Sequence, residues 1–274
     1  MATRAEETRW QKLARKAGNR ASKVNRLTRE WAPRLYKGRR YRCNCCGTGL
    51  RFFFRRGLAG NADNTCPFCL AVERQRFALR AFEALSRDGR LSLRGRALHV
   101  APERALGPFL QAASDHYIPI DLGQGNPYYM PLTCRADLTG LPLGDGTIDY
   151  VVCSHVLEHI ADDRSAMAEL ARVLRPGGWA FLPVPVRGEE TDEDPTVTDP
   201  HERARRFLQW DHVRLYGRAD YLRRLSAAGL EADIIPRASV MSEAEARVLG
   251  RSNRFADVLN LWLFRKPDRS ATPR

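Results

Sequence analysis

Residues 147–160 read TIDYVVCSHVLEHI, and the fold turns on this stretch. The run from Asp149 to Val156 is short, almost continuously apolar and rich in valine, which suits a strand buried on both faces of a sheet. The LEHI that follows reads as the start of a short helix. Working outward, ALHV (97–100), YIPI (117–120) and WAFLPVPV (179–186) have the same buried-strand character. Between the strands, Ala166, Leu170, Val173 and Leu174 mark one face of a helix that closes at RPGG, residues 175–178. Strands alternating with amphipathic helices predict an α/β, Rossmann-like, doubly wound and mostly parallel sheet over residues 73–268.

The 274 residues allow one such domain and a smaller module, and 43% hydrophobic with 28% charged residues is ordinary for a globular chain. No apolar run approaches the ~20 residues of a membrane span, and the first twenty residues lack the apolar core of a signal peptide. The expectation is a cytoplasmic protein that does not engage membrane. The net charge of +13 is uneven: residues 1–42 hold fourteen Lys or Arg against three Glu. Within residues 1–40, Trp10, Leu13, Ala17, Val24, Leu27 and Trp31 are spaced for an amphipathic helix with a cationic back, ended by Pro33. Such a helix docks on its own chain or meets nucleic acid.

Residues 41–72 hold five of the seven cysteines. Cys43 and Cys46 form one C-x-x-C and Cys66 and Cys69 a second, with nineteen residues between the pairs. That spacing, with Gly47 and Pro67 in the knuckles, predicts a zinc-ribbon-like module whose four thiolates hold a structural Zn²⁺. Cys45 stands beside Cys46 as an alternative ligand.

Asp121, at the end of the second strand and followed by Leu122, is placed to accept hydrogen bonds from two ribose hydroxyls. Asp137 with Leu138 is placed for an adenine edge. The strings RADLTGLPLGDGTIDYVVCSHVLEHI (135–160) and ELARVLRPGG (169–178) together resemble the class I S-adenosylmethionine-dependent methyltransferases of type 11. CPFCLAVERQR, LHVAPE, TDEDPTVTDPHER and DHVRLYG extend the likeness to a bacterial subgroup that joins a zinc-binding segment to such a domain. The resemblance implies S-adenosyl-L-methionine as cofactor and methyl transfer as activity, and it names no acceptor.

One departure stands out. Where the superfamily has L-D-V-G-x-G-x-G, this chain has Leu98, His99, Val100, Ala101, Pro102, Glu103, Arg104 and Ala105. Glycine there lets backbone pass close to the ligand. Ala101 adds one methyl group, Pro102 fixes a tight turn, and Glu103 offers a carboxylate to the methionine ammonium. Two readings stand: a substituted cofactor site, or a scaffold without ligand. Glu103 could also serve only to cap the next helix.

Methyl transfer from a sulfonium needs alignment above all, with a base where the acceptor carries a proton. His155, at the end of the fourth strand, is the leading catalytic residue. Glu158 and His159 follow it, His159 reading best as a hydrogen-bonding anchor. The long segment 185–216 reads as a lid or substrate insertion, and its DHVRLYG brings His212 forward as a second catalytic candidate, oriented by Asp211 or Arg214. A second metal among Glu190, Asp194, His201 and His212 is disfavoured by their spacing. Three readings of function remain: methyl transfer to a small molecule, sugar or peptide; methyl transfer to RNA, with basic helix and LRFFFRRG (50–57) as the grip; and a non-catalytic zinc-binding protein.

Overall fold

The computed structural model describes residues 35–56, 63–123, 130–250 and 260–268. The basic stripe from Trp10 to Trp31 lies outside them. Seven strands, β1 (Arg96–Val100), β2 (His116–Asp121), β3 (Cys134–Arg135), β4 (Ile148–Cys153), β5 (Leu174–Phe181), β6 (Glu231–Ile235) and β7 (Leu261–Arg265), form one sheet. Their order is β6-β7-β5-β4-β1-β2-β3. β1 to β5 run parallel, and β7 lies antiparallel between β5 and β6. The sequence runs that predict a Rossmann-like sheet thus form its centre.

Alternation along the central strands sorts residues to two layers. Leu98, Val100, Val151 and Cys153 pack with α3 (Asp163–Val173) and α5 (Arg218–Ala227), after α1 (Glu73–Arg87) and α2 (Gly107–Ala113) in the chain. Ala97, Tyr150 and Val152 face the other way, against Phe77, Ala81 and Phe82 of α1. Both faces are covered, which is why these strands are apolar throughout rather than alternating. Asp162 begins α3, its side chain accepting from Ser165 N at 3.0 Å, a cap typically worth about 1 kcal/mol.

Strand ends differ from the expectation in three places. β4 stops at Cys153, three residues before Val156, because His155 takes φ +55°. β5 stops at Phe181, beyond which Pro183 and Pro185 have no N–H to donate. The helix expected at LEHI is a single 3₁₀ turn, Leu157–His159. Leu174 is already strand rather than helix, and Gly178 explains the RPGG: a Cβ there would lie 2.8 Å from the Asp149 carbonyl oxygen.

The cysteine segment consists of two short hairpins, Lys37–Arg42 with Gly49–Leu50 and Phe54–Arg56 with Asp63–Thr65. Its small core of Cys43, Leu50, Phe53, Cys66 and Ala71 includes Ala105 of the main domain. Arg76 of α1, fully buried, bolts the two together. It donates to the carbonyls of Ala71 and Leu249 and lies 4.1 Å from the Phe53 ring centre. Segment 185–216 is tied down by a bridge between Val186 and Tyr216 and by pairing of Asp192–Glu193 with Arg214–Leu215, and it carries α4 (Pro200–Phe207). The last described helix is α6 (Glu243–Val248). No helix among the described residues is long and apolar enough to cross a membrane.

His99, where the resemblance has aspartate, is wholly buried, with Nδ1 2.7 Å from the Tyr117 hydroxyl. Burial pushes it down from 6.5 to about 3, so the folded protein holds it neutral while the unfolded chain protonates near pH 6.5. Its contribution is complete above that pH and is lost as pH falls toward 3, at up to about 1.4 kcal/mol per pH unit. Denaturant melts from pH 7 to pH 4 should show this slope in the parent and a shallower one in His99→Gln.

Candidate functional site

An open parallel sheet places its ligand crevice at the carboxyl ends of its strands, here those of β1, β2 and β4. Two residues there have the left-handed backbone that glycine normally supplies: Ala101 at φ +49° directly after β1, and His155 at φ +55° after β4. Each costs about 1–2 kcal/mol in a non-glycine residue. Ala101 is locked there by its N–H, which donates to the Ile120 carbonyl at 2.9 Å; His155 N donates to the Pro183 carbonyl at 2.9 Å. The glycine-free turn therefore has the glycine-type conformation, adopted by alanine.

Glu103 sits at the floor of this turn. Its Oε1 accepts from Gln75 Nε2 at 2.7 Å, and Gln75 is itself aimed by accepting from Val72 N. Its Oε2 is buried and has no partner among the described residues. Neither oxygen accepts from a backbone N–H of α2 among the described residues, so no hydrogen-bonded cap is formed. Ala101 and Pro102 are buried with it, and the Pro102 carbonyl accepts from Met130 N at 2.7 Å.

Asp121 ends β2 half-exposed, one oxygen accepting from Gly123 N at 2.9 Å, with Leu122 beside it exposed. Asp137 is exposed and accepts from both the backbone and the hydroxyl of Thr139, which hold its carboxyl below the usual range. The Leu138 side chain is in the apolar core with Val100 and Ile120, which leaves its backbone for the crevice side.

Beyond β4, His155 Nδ1 lies 3.2 Å from Glu158 Oε1. Burial favours the neutral form of Glu158, but the His155 hydrogen bond and the imidazoles of His155 and His159 outweigh it and hold the carboxyl low. His212 does reach this place, from the far end of the insertion. Its Nδ1 is 2.7 Å from the Phe207 carbonyl, and its ring packs edge-on against His159 at 4.7 Å. Burial pushes it below the ordinary histidine range. Neither expected orienter acts on it. Asp211 faces His159 Nδ1 at 3.4 Å, as the anchoring reading of His159 requires, and Arg214 turns elsewhere. Arg214 donates to the carbonyls of Leu157, Ile160 and Ala161, and its Nε reaches Glu193 at 2.8 Å. Arg224 pairs with Asp163 at 2.9 Å, Glu193 at 2.6 Å and Asp220 at 2.8 Å, and Glu193 is pushed down to about 2 chiefly by Arg224. The group of Glu190, Asp194, His201 and His212 is not assembled: Glu190 faces Arg223 and Asp194 faces Arg206.

At the cysteine end, Cys43, Cys46, Cys66 and Cys69 bring their sulfurs within 4.8 Å of one another. Cys43 and Cys69 are 3.6 Å apart and Cys46 and Cys66 3.8 Å. Cys45 is excluded from the group, its thiol turned to Asn44 Oδ1. Their mutual hydrogen bonds lower the Cys46 thiol and push those of Cys66 and Cys69 up.

Residues 113–182, from the end of α2 through β5 and just beyond it, match a family model described as a methyltransferase domain. Over that stretch the chain is similar to methyltransferase domains. An uncharacterized 37.1 kDa protein in transposon TN4556 of Streptomyces fradiae is 34% identical over 122 residues, 42% of this chain and 34% of that protein. The demethylmenaquinone methyltransferase of Streptomyces avermitilis is 37% identical over 82 residues, 27% of this chain and 35% of that enzyme. The matches thus span about a third of the length of these relatives. A solved S-adenosylmethionine-dependent methyltransferase from Mesorhizobium loti covers 68% of this chain and 97% of its own at 16% identity and a TM-score of 0.44.

The insertion is held by buried charge, and breaking a buried pair on one side costs about 3–5 kcal/mol. Arg214→Met should therefore destabilise by on the order of 3 kcal/mol in denaturant melts. A change under about 0.5 kcal/mol would mean that the carbonyls of Leu157–Ala161 need no cation.

Proposed function

We propose that the chain transfers a methyl group from S-adenosyl-L-methionine to a small molecule, sugar or peptide. The observation that carries this reading is the glycine-type conformation of Ala101 beside the orphaned Oε2 of Glu103. A decayed site has no reason to retain backbone strain and an unpaired buried carboxylate oxygen together. In this reading the backbone of Ala101 and Pro102 lies against the methionine part, and Glu103 faces its ammonium. Asp121, with Leu122 beside it, holds the ribose, and Asp137 with the Leu138 backbone faces the adenine. The cofactor supplies the activated methyl group. His155 stands on the acceptor side, its ring aligned by Glu158 and able to take the acceptor's proton. His212 acts behind it as a positioning residue.

The four cysteines suit a structural Zn²⁺. A tetrahedron on zinc–sulfur bonds of about 2.3 Å has edges of about 3.8 Å, close to the sulfur separations here. Four protein thiolates leave no open position, so the ion would brace rather than react. Its module leads through Val72 and Gln75 to Glu103, which ties the metal to the cofactor turn.

A second reading, RNA as acceptor, is favoured by Phe52, exposed and in tilted ring contact with Tyr36 at 4.9 Å among the exposed Lys37, Arg39 and Arg40. A partner nucleic acid would be recognised by binding that falls steeply with salt.

Calorimetry with S-adenosylmethionine tests the first reading. Asp121→Ala should lose roughly 1.5–3 kcal/mol of affinity. Glu103→Gln should weaken binding with the melting temperature nearly unchanged. Unaltered affinity in both would remove the assignment.

Elemental analysis should find one zinc per chain, and its removal by chelator should lower the melting temperature and weaken cofactor binding together. Less than about half an equivalent of zinc, with neither quantity moved by chelation, would contradict the structural role.

A further inference from the structure

The turn after β4 and the end of the insertion bring together three side chains that the methyl-transfer reading does not use as a unit. Glu158, His159 and His212 each offer a ligand atom, and these atoms lie within 4.8 Å of one another. Glu158 is 1% exposed, and its Oε2 has no hydrogen-bond partner among the described residues. A buried carboxylate oxygen without a partner is costly. His155 uses the other oxygen.

The two imidazoles are turned in the way that metal-binding histidines are. His212 directs Nδ1 to the Phe207 carbonyl at 2.7 Å, and His159 directs Nδ1 to the Asp211 carboxylate at 3.4 Å. This leaves Nε2 of both rings for a ligand. A ring nitrogen held by a carbonyl or carboxylate fixes the tautomer and orientation of the other, the usual outer shell of a metal site. Asp211 is itself held by Gln209 Nε2 at 2.7 Å. His159 keeps 30% of its side chain exposed, which provides a route in.

We infer that Glu158, His159 and His212 form a second metal site, separate from the cysteine cluster, for a divalent transition-metal ion of the zinc, cobalt or iron class. Two imidazoles and one carboxylate are the donor set of such ions, whereas four thiolates select zinc. Three protein donors leave at least one coordination position for water or an oxygen ligand, so this site is open where the cysteine site is closed. Its connection to the acceptor, through the contact of Glu158 with His155, rests on the methyl-transfer reading; the binding of the ion does not.

The test counts metal in the full chain and needs neither cofactor nor acceptor, so its outcome is independent of methyl transfer. Protein with its cysteine site already filled with zinc is dialysed against Co²⁺, and bound cobalt is measured alongside zinc. The parent should bind one cobalt without losing zinc. His159→Ala and the isosteric Glu158→Gln should each weaken cobalt binding at least tenfold, with zinc content unchanged. Asp211→Asn, which touches only the outer shell, should weaken it by about tenfold or more. His212→Ala removes a buried ring and is read only where its thermal melt matches the parent's. No cobalt bound at millimolar concentration would overturn the proposal, as would one equivalent bound equally well by the parent, His159→Ala and Glu158→Gln.

Discussion

The arrangement beyond β4 depends on one buried guanidinium. The carbonyls of Ile160 and Ala161, just past the turn Leu157–His159, have no continuing helix to satisfy them, and Arg214 donates to both and also to Leu157, whose carbonyl accepts from Ile160 N as well. Because Arg214 enters from 53 residues or more along the chain, the same contact fixes the end of the insertion against the sheet. Arg224, Asp163 and Glu193 complete the charge balance around it, and Tyr216 donates to Asp163 at 2.6 Å. Such a network adds little net stability over apolar packing, but it leaves few alternative registers for the segment. His212, two residues before Arg214, is delivered to Glu158 and His159 as a consequence.

The crevice itself is shaped by strain held in place by pairing. Ala101 and His155 occupy the left-handed region at the ends of adjacent parallel strands, and each is locked by a backbone hydrogen bond to the next segment. The sheet thus covers the cost of a conformation that glycine would take freely. What alanine adds is one methyl group at the crevice; what it removes is the freedom of the unfolded chain that glycine carries. The cysteine module bears on this same place, since Gln75, at the start of the helix that Arg76 bolts to the module, holds Glu103. Module, turn and insertion converge on a single end of the sheet.

Much of this was legible in the sequence, and the failures have physical causes. Apolar runs bounded by turn residues located β1, β2, β4 and β5 because a doubly covered strand has no polar face to confuse the pattern. Paired C-x-x-C spacing located the sulfur cluster, but nothing in the spacing separates Cys45 from Cys46, since that choice depends on which way the knuckle turns. The position of Asp121 at the end of β2 was readable from the apolar run before it. Which part of Leu138 faces the crevice was not readable, because its burial with Val100 and Ile120 depends on the sheet. The left-handed backbone of Ala101 leaves no mark in composition: alanine there signals the loss of glycine, while the hydrogen bond to Ile120 that preserves the conformation is long-range. The meeting of His159 with Asp211, and of Glu158 with His212, is likewise a product of the Arg214 contact and invisible to local pattern.

The central claim is that the crevice receives its cofactor without a glycine-rich turn. A crystal structure of the full chain grown with S-adenosylhomocysteine tests it most directly. Density is expected for the amino-acid part against Ala101 with its ammonium at Glu103 Oε2, for the ribose at Asp121, and for the sulfur facing His155. A crevice without such density at saturating ligand, or a ligand seated away from β1 and β2, would contradict it.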